Sequence, residues 1–356
     1  MSSKIGILTG GGDCPGLNGV IRAAVYEGIR RRDMEFVGIR YGWKGLLEKD
    51  TRPLGLEDVR CILSEGGTIL RTSRTNPVRD EESIERAIAN FHDLGLDALI
   101  AIGGDDTLGA AYELWQNDDS FRVVGVPKTI DNDLTGTDVT FGFDTAVNIA
   151  TEAIERIHTT ARSHNRVIVV ELMGRHAGWI TLEAGIAGGA DIILVPEQPF
   201  DLSEDLCKPL ENMRENGREY AIVAVSEGAK LKMERDADGS FIIQEAETDE
   251  FGHVRLGGVG KILSEEIERR IDWESRHVVL GHLQRGGRPS AYDRILTTRF
   301  GVAAARAVSD GLSGVMIALR GTEVKPVKMT DEIHDIRKVP GEWLEIMRLF
   351  SRGGNL

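Results

Sequence analysis

The residues best suited to chemistry in this chain are acidic, and they sit where apolar runs end. Residues 123–133 read Val-Val-Gly-Val-Pro-Lys-Thr-Ile-Asp-Asn-Asp. The first half is a short buried strand of apolar and β-branched residues, and polar residues crowd its carboxyl end. Asp131, Asn132 and Asp133 cannot all be buried unpaired, because desolvating a single carboxylate costs several kcal/mol. They belong at a solvated strand end, facing something polar, cationic or hydroxylic. A plain turn is the alternative, since Asp-Asn-Asp is common turn chemistry.

Other strand ends carry complementary groups. Ile5-Gly-Ile-Leu-Thr runs into Gly10-Gly-Gly-Asp-Cys-Pro-Gly-Leu-Asn and then into a helical pattern from Gly19. Strand, glycine loop and helix put backbone N–H groups and a helix N-terminus around a phosphate, although the loop matches neither the P-loop nor the dinucleotide pattern. A tight turn without a ligand is the alternative. Leu96 to Ile102 ends in Gly103-Gly-Asp-Asp-Thr, with a helix expected from Leu108 to about Gln116. Paired carboxylates beside a phosphate loop hold Mg²⁺ through one or two ligands; Asp106 or Thr107 capping the helix is the other reading. Arg71, Arg74 and Arg79 lie in a Ser/Thr-rich loop in which Arg74 suits anion contact. Glycines for a phosphate, acidic metal ligands, a Thr-x-Asp pair and arginines are the parts that phosphoryl transfer needs. No Ser-His-Asp order is visible, and Cys14 reads as a small filler in the glycine loop.

The elements that must position these groups follow from periodicity. Glu81 to Leu94 and Phe143 to Ser163 read as helices, Gly38 to Leu56 as largely loop, and Glu234 to Arg255 as an acidic surface excursion. Further apolar strands begin at Arg166, Asp191, Ala221 and His277. Near-continuous apolar strands alternating with helices imply an α/β protein with parallel sheets covered on both faces. In such sheets ligands gather at strand carboxyl ends, which is where every motif above falls. The length of 356 residues exceeds one ordinary core, so two domains are expected.

Composition narrows the function classes. A formal net charge of −14 argues against nucleic acid, which needs a basic footprint, so an anionic ligand must be held by local arginines. No apolar run approaches the length of a membrane span, and a strand directly after Met-Ser-Ser-Lys leaves no room for a signal peptide. Cys14, Cys61 and Cys207 lack CxxC spacing and suggest neither zinc nor disulfides. These features lead us to expect a cytoplasmic protein.

Five segments, in this order, resemble the motifs of the 6-phosphofructokinase family: Gly-Gly-Asp-Cys-Pro-Gly-Leu-Asn, Gly-Gly-Asp-Asp-Thr, Pro-Lys-Thr-Ile-Asp-Asn-Asp, Met-Gly-Arg-His-Ala-Gly-Trp and Gly-His-Leu-Gln-Arg-Gly-Gly. The resemblance covers roughly residues 4 to 300. It implies two doubly wound, Rossmann-like α/β domains with the active site in the cleft between them. Residues 1–142 plus about 285–325 would form a larger donor-binding domain, 143–284 a smaller sugar-phosphate-binding domain, and 326–356 a C-terminal helical tail in which Glu342 to Arg352 reads as amphipathic. Asp131 would be the base for the C1 hydroxyl of fructose 6-phosphate, with Thr129 and Asp133 flanking it and Asp105 on Mg²⁺. Met173, Gly174, Arg175, Glu227, His282 and Arg285 match the sugar-phosphate pocket, and Arg175 also serves catalysis. Arg166 and Arg276 match arginines that reach a neighbouring subunit, which implies a homo-oligomer, at least a dimer. Gly11, Gly12 and Arg74 match the donor side.

Two positions bear on the donor. Asp106 stands where ATP-dependent members have glycine, and Lys128 stands where they have glycine before Thr-Ile-Asp. A carboxylate facing another anion at about 4 Å costs on the order of 1–4 kcal/mol, depending on local dielectric, while Lys128 adds a positive charge beside the transferring phosphate. The pair resembles the pyrophosphate-dependent branch, and Ala110 replaces a glycine that lies against the nucleoside in ATP enzymes. Asp106 as a helix cap with Lys128 in solvent is the bland alternative. A pyrophosphate donor implies a reversible step serving glycolysis and gluconeogenesis. The rival readings are an ATP-dependent member and a non-catalytic sugar-phosphate-sensing subunit. The latter would lack the base or the metal ligand, yet Asp131, Asp105 and Arg175 are all present. At the family's effector positions Arg22 and Arg218 remain basic, whereas Tyr26, His158 and Asn216 do not, so no strong effector response is expected.

Overall fold

A computed structural model describes residues 2–233, 236–241, 243–248 and 254–351. In chain order the first elements are β1 (Ser3–Thr9), α1 (Leu17–Arg31), β2 (Met34–Ile39), α2 (Trp43–Glu48), β3 (Thr51–Leu54), α3 (Glu81–Asp93), β4 (Ala98–Gly103), α4 (Asp105–Asn117), β5 (Val123–Pro127) and α5 (Phe143–His164). Then come β6 (Val167–Leu172), α6 (Trp179–Ala187), β7 (Ile192–Leu194), α7 (Lys208–Glu215) and β8 (Ala221–Ser226). The short strands β9 (Lys230–Met233), β10 (Asp236–Phe241), β11 (Ile243–Thr248) and β12 (Val254–Leu256) pair as two antiparallel ribbons. The chain closes with α8 (Val259–Ile271), β13 (Ser275–Val279), α9 (Ala291–Ser309), β14 (Val315–Arg320), β15 (Glu323–Lys328) and α10 (Gly341–Ser351).

These elements form two compact units. Residues up to Thr145 and Arg285–Asp335 belong to the first; Ala146–Thr248, Val254–Gln284 and the chain from Ile336 belong to the second. The first unit holds a seven-stranded sheet in the order β15-β14-β5-β4-β1-β2-β3. β2, β1, β4, β5 and β14 are parallel, while β3 and β15 run antiparallel at the two edges. The chain leaves β1 for β2 on one side and returns to β4 on the other. That reversal makes the carboxyl ends of β1 and β4 a topological switch point, where a doubly wound sheet opens a crevice. Leu8, Leu99, Ala101, Val123 and Phe121 pack with Leu108 and Ala111 of α4 and Phe91 of α3 into one core cluster.

The second unit holds a four-stranded parallel sheet in the order β13-β6-β8-β7. Val167, Val169, Val223 and Val225 pack there with Leu263 and Ile267 of α8. Strands buried on both faces explain why β6 and β8 read as unbroken apolar runs rather than alternating ones.

Several elements differ from the sequence reading. The expected loop over residues 38–56 contains α2 and the edge strand β3, whose shortness and single Pro53 hid it. α4 begins at Asp105 rather than Leu108, which draws both carboxylates into its first turn. β14 has no counterpart in the expectations, although Val-Met-Ile-Ala-Leu is an apolar run. The segment after residue 326 continues a strand before any helix, and α10 occupies only Gly341–Ser351; Arg352 lies outside the described residues. In the acidic excursion, residues 234–235, 242 and 249–253 likewise lie outside them, and the rest forms the two ribbons.

Candidate functional site

In the first unit the groups converge at the switch point. After β1, Gly10 N–H donates to the Ile102 carbonyl at 2.9 Å and Gly11 N–H to the Ser73 carbonyl at 3.1 Å. The Thr72 hydroxyl donates to the Gly11 carbonyl at 2.6 Å, so the loop bearing Arg74 is fastened to the glycine loop. Gly11 takes φ 73°, a left-handed conformation that favours glycine. At Gly12 a Cβ would lie 2.6 Å from Arg285 Nη1, so a larger residue there would displace the guanidinium. Arg285 donates to the Asp13 carbonyl at 3.3 Å, so its guanidinium lies against the glycine loop. Cys14 is fully buried, and burial drives its thiol far above the ordinary range, which suits a filler and not a nucleophile.

α4 starts from Gly104 with no side-chain cap, and Asp105 and Asp106 occupy its first turn. The capping alternative is therefore not realised. Carboxylates there face the positive end of the helix dipole, worth roughly 0.3–1 kcal/mol each. Lys128, at the end of β5, is only 4% exposed, which removes the solvent alternative. Its ammonium is 3.5 Å from where a Gly11 Cβ would stand and 4.0 Å from the corresponding point at Gly104. Among the described residues it has no hydrogen-bond or ion-pair partner. Burial lowers its pKa and Arg285 adds to that, whereas the charges of Asp105 and Asp131 push the other way.

The turn after β5 sets the carboxylates. Asp131 N–H donates to the Thr129 hydroxyl oxygen at 3.1 Å. Asn132 is left-handed at φ 53° and buried, a conformation asparagine tolerates far better than most residues. Its Oδ1 accepts the Thr140 N–H at 3.1 Å. The Thr140 hydroxyl has one proton, and the Thr129 carbonyl at 2.8 Å takes it in preference to Asn132 Oδ1 at 3.4 Å. Asp293, fully buried, accepts from the Gly142 N–H, the Thr145 N–H and the Thr145 hydroxyl, and so holds the far end of this segment. From sequence, Asn132 is named only with the aspartates at a polar strand end, and neither Thr140 nor Asp293 is singled out. Only the asparagine between two aspartates gave a signal, as a residue suited to a left-handed turn.

Burial and the charges of Asp131 and Asp105 raise the pKa of Asp133 well above the ordinary carboxylate range. The carboxyl on Asp133 therefore keeps its proton to higher pH than an ordinary carboxylate. Among the described residues no three His, Cys, Asp or Glu side chains form a ready metal cage. One or two carboxylates is the number Mg²⁺ uses when phosphates supply its other ligands.

In the second unit, loops after β6 and β8 are locked together. The Ser226 hydroxyl donates to the Gly174 carbonyl at 2.6 Å, and Gly228 N–H to the same oxygen at 3.1 Å. This brings Met173, Gly174, Arg175 and Glu227 to one end of the sheet. The loop after β13, which carries an exposed His282, opens at the same strand ends. Arg166 and Arg276 are elsewhere. Arg166 precedes β6, Arg276 pairs in register with Ile168, and both arginines contact Glu274. β6 advances about 3.3 Å per residue, so they lie roughly 20 Å of strand from Met173 and Arg175 of the same chain.

The residues that the resemblance matched to the family's effector positions are engaged within the chain. The Tyr26 ring has Arg22 and Arg30 each 4.6 Å from its centroid. Arg218 is ion-paired with Asp191, and His158 Nε2 is 2.9 Å from the Gly188 carbonyl oxygen.

Asp133 gives a signed prediction. Its raised folded-state pKa means the folded chain binds the extra proton, so stability falls as pH rises from the ordinary carboxylate range through that pKa, then levels. Thermal melts from pH 4 to 9 should show this fall, and Asp133→Asn should flatten it. An unchanged profile in the variant would contradict the assignment.

Comparison with known proteins agrees with this architecture. The phosphofructokinase family profile matches residues 4–308. Pyrophosphate–fructose 6-phosphate 1-phosphotransferase of Amycolatopsis methanolica is 56% identical over 348 residues, covering 98% of this chain and 99% of that protein. ATP-dependent 6-phosphofructokinase 3 of Streptomyces coelicolor is 50% identical over 337 residues, covering 95% and 96%. The crystal structure of Pichia pastoris phosphofructokinase in the T-state matches with a TM-score of 0.80 and 32% identity, over 94% of this chain and 35% of that one. The chain, with its two Rossmann-like α/β units, belongs to the phosphofructokinase family.

Proposed function

We propose that this protein transfers a phosphoryl group from pyrophosphate to the C1 hydroxyl of fructose 6-phosphate, reversibly and with Mg²⁺, in the cytoplasm. The observation that carries the choice of donor is Lys128: a buried ammonium with no hydrogen-bond or ion-pair partner among the described residues, beside the glycine loop and the first turn of α4. Identity alone does not choose, because relatives named for either donor lie at 50% or more. Asp106 and Lys128 decide it through charge.

In this reading the first unit holds the donor. The glycine loop at Gly11 and Gly12, with Arg74 and Lys128, binds the pyrophosphate oxygens, and Asp106 repels the further phosphate of a nucleotide. Asp105, with Asp133 nearby, would hold Mg²⁺, which supplies charge neutralisation to the phosphates when bound. The mutual repulsion that raises Asp133 is the fit: a cation relieves it. The second unit holds the sugar phosphate through Met173, Gly174, Arg175, Glu227 and His282. Asp131 accepts the C1 hydroxyl proton as that oxygen attacks phosphorus. The phosphorus–oxygen bond to the second phosphate breaks, and inorganic phosphate leaves. Thr129 orients Asp131, and Lys128 and Arg175 stabilise the charge on the transferring group.

Arg166 and Arg276 complete the pocket of a neighbouring subunit, which makes the active form a homo-oligomer. Their distance from Met173 and Arg175 along the strand supports this. So does β13, an edge strand that exposes Val278 and Val279, with Leu283 exposed just beyond it; such an edge favours pairing with another chain. Sedimentation of the active enzyme should give a dimer or larger, and Arg276→Ala should lower sugar-phosphate affinity without unfolding the protein. An active monomer would remove this part of the reading.

Initial rates with fructose 6-phosphate and Mg²⁺, comparing pyrophosphate with ATP at equal concentration, test the donor. Only pyrophosphate should work, and the double change Asp106→Gly with Lys128→Gly should admit ATP. In the same assay Asp131→Ser should cut turnover by at least ~10²-fold with little change in sugar affinity. Turnover with ATP alone would overturn the roles of Asp106 and Lys128.

A further inference from the structure

The C-terminal segment from Ile336 onwards has no place in the chemistry above, yet it is fastened at several points to one functional loop. The loop after β6, carrying Met173, Gly174 and Arg175, ends where α6 begins, at Gly178 and Trp179. α6 has no side-chain cap from its own first residues, so its leading N–H groups need other acceptors. Glu197 supplies one from a distance. Its Oε1 and Oε2 accept the Gly178 N–H at 3.0 and 3.1 Å, and Oε1 also accepts the Val339 N–H at 3.0 Å. A single carboxylate thus staples the loop end to the C-terminal segment.

A second contact lies beside this staple, one residue after Gly178 and two residues before Val339. The Arg337 guanidinium sits 4.5 Å from the centroid of the Trp179 ring, and the Trp179 indole N–H donates to the Arg337 carbonyl at 3.0 Å. Guanidinium stacking of this kind contributes through both charge and area. Val339 and Met347 are buried beneath it, and Arg348 Nε donates to Gln198 Oε1 at 3.2 Å. Gly178 is itself part of the fit: a Cβ there would fall 2.9 Å from Glu197 Oε2 and 2.5 Å from Val195 Cβ. The segment therefore grips both the first residue of α6 and the residue before it, at the point where the loop's conformation is fixed.

We propose that the C-terminal segment is a clamp that positions the Met173–Arg175 loop for its ligand, with Glu197, Trp179 and Arg337 as positioning residues. This rests on the reading that the loop binds the sugar phosphate. The clamp touches no reacting group. It sets how much of the loop's ordering is already present before binding, and preorganisation of that kind shows in affinity for the ligand the loop holds.

The test uses the full-length protein and two variants, Arg337→Ala and Glu197→Ala, so that loss of fold in one leaves the other. Ala at 197 removes the acceptor shared by the Gly178 and Val339 N–H groups, which releases the staple. Hydrogen exchange of the 172–180 amides, with no ligand present, should quicken by about fivefold or more in each variant, while the glycine loop at 10–18 is unchanged. KM for fructose 6-phosphate should rise about five- to tenfold with KM for pyrophosphate within twofold. Unchanged exchange at 172–180 overturns the clamp. Faster exchange with an unchanged KM for fructose 6-phosphate overturns its positioning role. If the variants show the exchange difference but the unaltered protein does not turn over fructose 6-phosphate, the sugar-phosphate reading fails while the clamp stands.

Discussion

A lysine ammonium buried without a partner is costly, and the donor side of this protein is arranged around one. Burial, with Arg285 beside it, lowers the pKa of Lys128; Asp105 and Asp131 supply a compensating field, and among the described residues none forms an ion pair with it. Burial first, and then the charges of Asp131 and Asp105, hold the proton of Asp133 above the ordinary range. Each charge in the cluster is therefore only partly compensated within the chain. A ligand that brings both phosphate oxygens and a divalent cation satisfies the lysine and the aspartates together.

That arrangement depends on a small set of backbone decisions. The switch point between β1 and β4 opens the crevice, and two glycines let Lys128 and Arg285 approach the main chain closely. The left-handed Asn132, tied to Thr140, turns the chain so that the aspartates on either side of it serve one cluster. Asp293 anchors the end of that segment from α9 with three accepted hydrogen bonds. The second unit repeats the logic in simpler form, with Ser226 fastening two strand-end loops.

Much of this was legible in the sequence, because the period and the chemistry of strand ends are local signals. The apolar runs that became β1, β4, β5, β6 and β8 are buried on both faces and could hardly be read otherwise. The acidic and glycine-rich segments after them could be assigned to strand ends for the same reason. Edge elements were harder: β3 is four residues long and contains a proline, and β14 was overlooked beyond the last motif. What sequence could not supply was long-range pairing. Nothing local in Glu197 or Arg337 says that they meet α6, and nothing in Arg285 says that its side chain lies against Gly12. Nor does spacing reveal that Arg166 and Arg276 stand at the far end of the strands from Met173 and Arg175.

The claim on which the account rests is that Lys128 exists to hold the phosphates of the donor. Calorimetric titration of methylenediphosphonate, a non-transferring pyrophosphate mimic, with Mg²⁺ and without sugar phosphate, measures this directly. Truncating one partner of a buried charge pair costs a few kcal/mol, so Lys128→Met should weaken binding by at least about 30-fold while fructose 6-phosphate still binds. Affinity for the mimic within about twofold of the unaltered protein would contradict the account.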